Sequence, residues 1–273
     1  VWYYRKDLFA AANVQPPTTW QEFKAAAQAL TKPSGDQYGL VAPGDTLGSH
    51  YLYTLTLNNG GGLFTKDRKP DLESQRNLEA FRFLSDLVQS HCVHPASAGY
   101  HDEDAVSAFT QGKGAITLHA PGLGTRLSKI SDKVGVLKPL TGPHGDQGTI
   151  FWVNNIMLYK QGKHPDEAKI FLEWWSEHEK DLWTKGHVTQ LPVRKSFAAD
   201  SYFQNNAETK FILDNYVPVG KTTAALSTEI FPKLNEIEGE GVMQTFMQNL
   251  LQGKDVNASV KQASDRVKSI MED

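Results

Sequence analysis

Apolar positions along the chain follow two periods that exchange several times. Val1-Trp2-Tyr3-Tyr4 is a run of large apolar and aromatic residues with strand character. Thr19-Trp20-Gln21-Glu22 has capping-box spacing: a threonine hydroxyl accepts from the third helical amide while the glutamate reaches back. Trp20, Phe23, Ala27 and Leu30 then recur at helical spacing until Thr31-Lys32-Pro33-Ser34-Gly35 stops the pattern. Tyr38–Val41 predicts a short strand, and His50–Leu57 the first turns of a helix closed by Asn58-Asn59-Gly60-Gly61-Gly62. The most regular stripe is Leu78, Phe81, Leu84 and Val88, within a helix over Gln75–Ser90 that is expected to bury against a sheet.

The second half reads differently. Asp102–Phe109 predicts a shorter helix, and Ala115–Leu118 a strand that empties into His119-Ala120-Pro121-Gly122. Val134–Leu137 predicts one more strand, and Thr149–Tyr159 is apolar again. From there the patterns are mainly helical. Pro165 stands at a first helical position above a stripe of Ala168, Phe171, Leu172, Trp175 and Leu182, and helices are expected over Ala207–Tyr216, Ser227–Leu251 and Ala258–Met271. The shift predicts an α/β unit over 1–149, then a crossing strand and a helical remainder over 150–273. Because the apolar start reads as mid-strand, an upstream part is expected to be missing.

Composition narrows the class. A length of 273 residues with 40% hydrophobic content is enough for one large core or two smaller ones. The 28 basic and 31 acidic residues are dispersed, for a net charge of -3, so neither nucleic acid nor an anionic membrane is an expected partner. The single cysteine, Cys92, forms no internal disulfide and is silent on compartment. No apolar stretch has the length of a membrane span, and the chain is expected to be soluble.

Several segments, taken in order, resemble family 1 extracellular solute-binding proteins, the group that includes maltose-binding protein. They are Trp2–Phe9 with Pro16–Phe23, Asn59-Gly60-Gly61 with Phe64, Ala108–Ile116, Val134–Leu140, His164–Leu172 and Gln190–Ser196. Arg5 stands where the family usually has asparagine. The resemblance implies an α/β, two-lobed periplasmic-binding-protein-like fold of type II with an incomplete first lobe. It also implies a monomeric receptor, periplasmic or cell-surface in a bacterium. Such a receptor captures a carbohydrate and passes it to the membrane permease of an ATP-binding cassette importer.

Sugars are held by aromatic faces laid on ring faces and by planar polar groups paired with hydroxyls. Trp20, Trp174, Trp175 and Trp183 read as helix packing. Trp152 lies on the expected crossing strand beside Asn154 and Asn155 and is a candidate for the cleft, and His50 and Tyr51 fall where the family carries an aromatic sugar platform. Asn59 beside the glycine pair and His119 in the loop after Leu118 complete the set. In that loop the family commonly supplies a tryptophan after the proline, whereas here Pro121 is followed by Gly122. The amides of Gly122 and Leu123 then offer donors that suit an anionic group, such as a glycerol phosphate or a sulfonated sugar.

No metal and no cofactor is expected. His91-Cys92-Val93-His94 with His101 lacks zinc spacing, and no Gly-x-Ser-x-Gly or His-Glu-x-x-His pattern occurs. Glu236, Glu238 and Glu240 read as an exposed, weak helix. A carbohydrate-active enzyme would need two facing carboxylates, which the sequence does not single out. A purely structural module is the remaining alternative.

Overall fold

The computed structural model describes residues 1–224, 226–227 and 231–272. Four strands form the main sheet: β1 (Trp2–Arg5), β2 (Tyr38–Leu40), β3 (Gly114–Leu118) and β4 (Val134–Val136), in the order β2-β3-β1-β4. Strand β1 runs antiparallel to both neighbours, with Trp2 opposite Leu118 and Tyr3 opposite Thr117 and Val136, while β2 is parallel to β3. Because side chains alternate along a strand, Trp2 enters a large core with Phe23 and Tyr51. Tyr3 enters a smaller one with Val41, Ala105, Phe109 and Leu123.

The helix Trp20–Leu30 begins with the expected box: the Thr19 hydroxyl accepts from the Glu22 amide at 3.2 Å, and Glu22 Oε2 accepts from the Thr19 amide at 3.2 Å. The helix Ser49–Asn58 is inserted into the core so deeply that only His50 escapes full burial. A helix buried on every side carries no amphipathic stripe, so its rotation is set by its contacts.

Helices at the end of the chain return to the same core. Phe246 meets Phe81 edge-on at 4.7 Å, Phe231 meets Phe64 at 4.8 Å, and Val260, Val267 and Ile270 are fully buried beside them. The helix expected over Ser227–Leu251 is two helices, Lys233–Gly239 and Val242–Leu251. Gly241 separates them at φ 67°, a left-handed turn that ends the first helix. Residues 228–230 of that expected helix lie outside the described residues.

Between these parts the chain is less covered. The expected crossing strand pairs over only two residues: β5 (Thr149–Ile150) lies parallel to β6 (Gly220–Lys221), and residues 152–159 pair with no described strand. Met157 is 81% exposed and Tyr159 72%. The helix Pro165–His178 forms with its proline in the first turn, yet it buries no residue. Phe171 and Trp174 are each about half exposed, so Trp174 does not pack as expected. Trp20 and Trp183 are buried, the latter edge-on to Phe203 at 5.4 Å. No helix among the described residues is long and apolar enough to cross a membrane.

The helix Ala207–Asn215 and the residue after it are tied to the sheet. The Tyr216 hydroxyl accepts from the Trp2 amide at 3.2 Å and donates to the Leu137 carbonyl at 2.9 Å, bridging the edges of β1 and β4.

Arg5, the departure from the family pattern, has a structural task. Its Nη1 donates to the carbonyls of Phe109 (2.8 Å), which also accepts from the Gly112 amide, and Thr110 (3.0 Å), at the negative end of the helix Asp102–Thr110. Nε and Nη2 form a two-pronged pair with Asp7 at 2.9 and 2.8 Å. Burial pushes the Asp7 carboxyl up, and Arg5's hydrogen bonds and charge outweigh it, leaving Asp7 below its ordinary value. Arg5→Asn restores the family residue but cannot span to both partners. Urea titration should find it less stable by about 1.5–3 kcal/mol; unchanged stability would remove this role.

Candidate functional site

The start of the helix Ser49–Asn58 carries the aromatic cluster. Tyr51 points inward and is fully buried. Its hydroxyl donates to the Val41 carbonyl at 2.9 Å, accepts from the Leu118 amide at 2.8 Å and lies 3.0 Å from the Thr117 hydroxyl. Tyr51 is therefore a bolt between helix and sheet, not a wall of an open surface. His50, one position earlier, faces out against Trp152, with ring centroids 4.2 Å apart and planes tilted by 37°. Tyr53 approaches the same indole edge-on at 6.3 Å. Positions 50 and 53 share a helix face, so Tyr53 was accessible to sequence reasoning through spacing alone.

Trp152 keeps 42% of its surface exposed, so one ring face is open while the imidazole braces the other side. Beside it lies a cleft of about 100 Å³ lined by Thr46, Ser49, His50, Tyr53, Trp152 and Glu238. Burial lowers the His50 pKa to about 4, which keeps the imidazole neutral at physiological pH. Burial, and then the charge of Glu238, raise the Tyr53 hydroxyl well above its ordinary value. The site therefore presents neutral rings and one carboxylate.

The other expected residues are dispersed. Asn154 is exposed beyond the paired strand. His119 lies near His50, and its Nε2 is 3.4 Å from Asp102 and 3.4 Å from Arg126. Asn59 is buried at the far end of the helix, about 15 Å along its axis, donating to the Arg76 carbonyl and to Glu79. It belongs to a joint between helices.

Gly122 is where an anionic ligand end was expected, and its donors are already engaged. Glu208 Oε1 accepts from the amides of Gly122 (3.1 Å) and Gly124 (3.4 Å) and from the Tyr3 hydroxyl (2.7 Å), while the Leu123 amide donates to Tyr3. The chain's own carboxylate holds the position. Gly122 itself is required, since at φ 88° an added Cβ would meet the Thr189 side chain at 2.1 Å.

A larger cavity of about 300 Å³ lies by Gly60, Ser74, Arg76 and His144. Its cation is held by Asp146 and its imidazole by Glu79. Among the described residues its only ring is the His144 imidazole, whereas the smaller cleft brings an indole and a phenol together with an imidazole, the kind of surface a sugar ring needs. Among the described residues no group of three His, Cys, Asp or Glu side chains is placed to hold a metal.

A model of the family described as bacterial extracellular solute-binding protein matches residues 1–181. The chain superposes with a TM-score of 0.92 on a sugar transporter from Arthrobacter chlorophenolicus A6 with bound laminaribiose, at 30% identity, covering 98% of this chain and 68% of that one. A binding protein of Brucella abortus strain 2308, named without a ligand, is 29% identical over 212 residues, 76% of this chain and 51% of that protein. An arabinooligosaccharide-binding protein of Bacillus subtilis is 27% identical over 195 residues, 67% of this chain and 44% of that protein. The chain spans about half the length of the curated relatives it matches.

The state of His50 generates a pH prediction. Its folded pKa of about 4 lies below the ordinary 6.5, so the unfolded chain binds the proton first as pH falls. The stability associated with neutral His50 is complete above pH 6.5 and is lost progressively down to about pH 4. His50→Gln should flatten that part of the stability curve, measured by urea unfolding at stepped pH. Parallel curves for the two proteins would refute the assignment.

Proposed function

The chain belongs to the bacterial extracellular solute-binding protein family and has that family's two-lobed α/β fold, and from this premise we propose that it captures a sugar or polyol against Trp152 and delivers it to the permease of an ATP-binding cassette importer. The observation that carries the reading is the open indole face of Trp152, braced by His50 and flanked by Tyr53. A ring platform of this kind takes the apolar face of a sugar and leaves its hydroxyls to neighbouring polar groups. The occupation of Gly122 and Gly124 by Glu208 speaks for a neutral solute over an anionic one.

In this reading residues 1–149 are the second lobe, and 150 onward supplies the crossing strand and part of the first. Helices from Lys233 on return to the core of the second lobe. The exposed apolar residues between Trp152 and Trp174 support this division, because an apolar patch of that kind marks a contact surface. The setting is periplasmic or cell-surface, and the protein acts as a monomer. It binds without turnover: among the described residues the cleft holds a neutral imidazole and one carboxylate, not the facing pair that glycoside cleavage uses.

Trp152→Ala should weaken laminaribiose binding at least tenfold in titration calorimetry while shifting the unfolding temperature little. Prolonged incubation of the protein with laminaribiose should leave the disaccharide intact by chromatography. Steady release of glucose, abolished by substituting one acid, would replace the receptor reading with an enzyme.

A further inference from the structure

Three acids, Glu236, Glu238 and Glu240, lie at the end of the helix Lys233–Gly239 and just beyond it, and the structure treats one of them differently. Glu236 pairs with Lys233 at 3.1 Å, and Glu240 forms a two-pronged pair with Arg266 at 2.5 and 2.7 Å. These are ordinary surface ion pairs. Glu238 turns inward instead, into the cleft beside Trp152, His50 and Tyr53, where its charge acts on the Tyr53 hydroxyl. Its Oε1 is buried and has no hydrogen-bond partner among the described residues.

A buried carboxylate oxygen without a donor is unfavourable, and native structures keep few of them. Among the described residues no Lys or Arg lines the cleft: the wall around it consists of Thr46, Ser49, His50, Tyr53, Trp152, Gly241, Met243 and Gln244. His50 is neutral, so it adds no positive charge. An acceptor held in this way beside an open aromatic face matches the two requirements of a polyhydroxylated ring. The ring's apolar face lies on the indole, and its equatorial hydroxyls need a strong acceptor at the edge.

We infer that Glu238 is the specificity-determining acceptor of this site, taking hydroxyl hydrogens from a neutral polyhydroxylated solute seated on Trp152. The inference rests on the receptor reading above and adds a residue and a ligand class to it. The same carboxylate repels an anionic solute. It also selects by hydroxyl: an analogue lacking the hydroxyl that Glu238 reads leaves the oxygen unpaired on binding, which is the way buried polar groups discriminate most sharply.

The test is titration calorimetry of laminaribiose, maltose, mannitol and arabinotriose with the wild type, Trp152→Ala, Glu238→Gln, Glu238→Ala and Glu240→Gln. The best-bound probe is then repeated as its single-deoxy analogues and as its phosphate ester. Glu238→Gln and Glu238→Ala should weaken the bound probe at least tenfold, and Glu240→Gln less than twofold. One deoxy analogue should bind wild type and Glu238→Gln alike, and the phosphate ester should gain affinity in Glu238→Gln relative to wild type. The unfolding temperature of Glu238→Gln should equal or exceed that of wild type, since the variant relieves a buried acceptor oxygen that has no donor among the described residues; a purely structural acid would give a fall.

If Trp152→Ala loses binding while both Glu238 variants keep it, the inference is wrong and the receptor site stands. If the wild type binds none of the four probes, or Trp152→Ala binds as wild type does, the receptor site and the inference fail together.

Discussion

The Tyr51 hydroxyl joins the Val41 carbonyl, the Leu118 amide and the Thr117 hydroxyl, and these contacts fix how the helix Ser49–Asn58 is rotated about its axis. A helix buried almost throughout has no polar face to orient it. Directional bonds inside the core must set its phase, and breaking them would strand two strand-end groups in an apolar interior. With Tyr51 pinned inward, His50 is carried to the surface and Tyr53 to the buried inner wall of the cleft, both against Trp152. The platform is thus held by a residue that never meets a solute.

The sequence made the sheet-bearing part readable because its signals are local. Thr19 and Glu22 are neighbours in the chain, and their capping box forms as the spacing predicts. Trp2, Tyr3 and Tyr4 alternate between two cores, as a strand must. Reading failed where the outcome depended on distant partners. The stripe over Phe171 and Trp175 has the period of a buried helix, and the helix forms, but nothing described covers it. Thr149–Tyr159 has strand composition, yet its pairing ends after Ile150 because β6 is only two residues long.

The site shows the same division. His50 and Trp152 were identifiable from pattern and resemblance, and Tyr53 from helical spacing. Glu238 was not, because its neighbours Glu236 and Glu240 make all three acids look like one solvated face. Only the turn at Gly241 and the packing of Val242–Leu251 against the core decide which of the three points inward. Gly122 carried a correct physical signal for a carboxylate, and the carboxylate that answers it is Glu208 from the same chain.

Glu208 and Tyr216 stand at opposite ends of the helix Ala207–Asn215, and both are fastened to the sheet. A rod clamped at two points has lost its freedom to roll or slide. Turning it would pull Glu208 from the Gly122 amide or Tyr216 from Trp2 and Leu137, breaking hydrogen bonds that lie largely out of solvent. The helix therefore moves as one piece with the sheet. Bending of the chain relative to that piece is absorbed in the connections on either side of it, and the helix transmits a push at one end to the other without yielding.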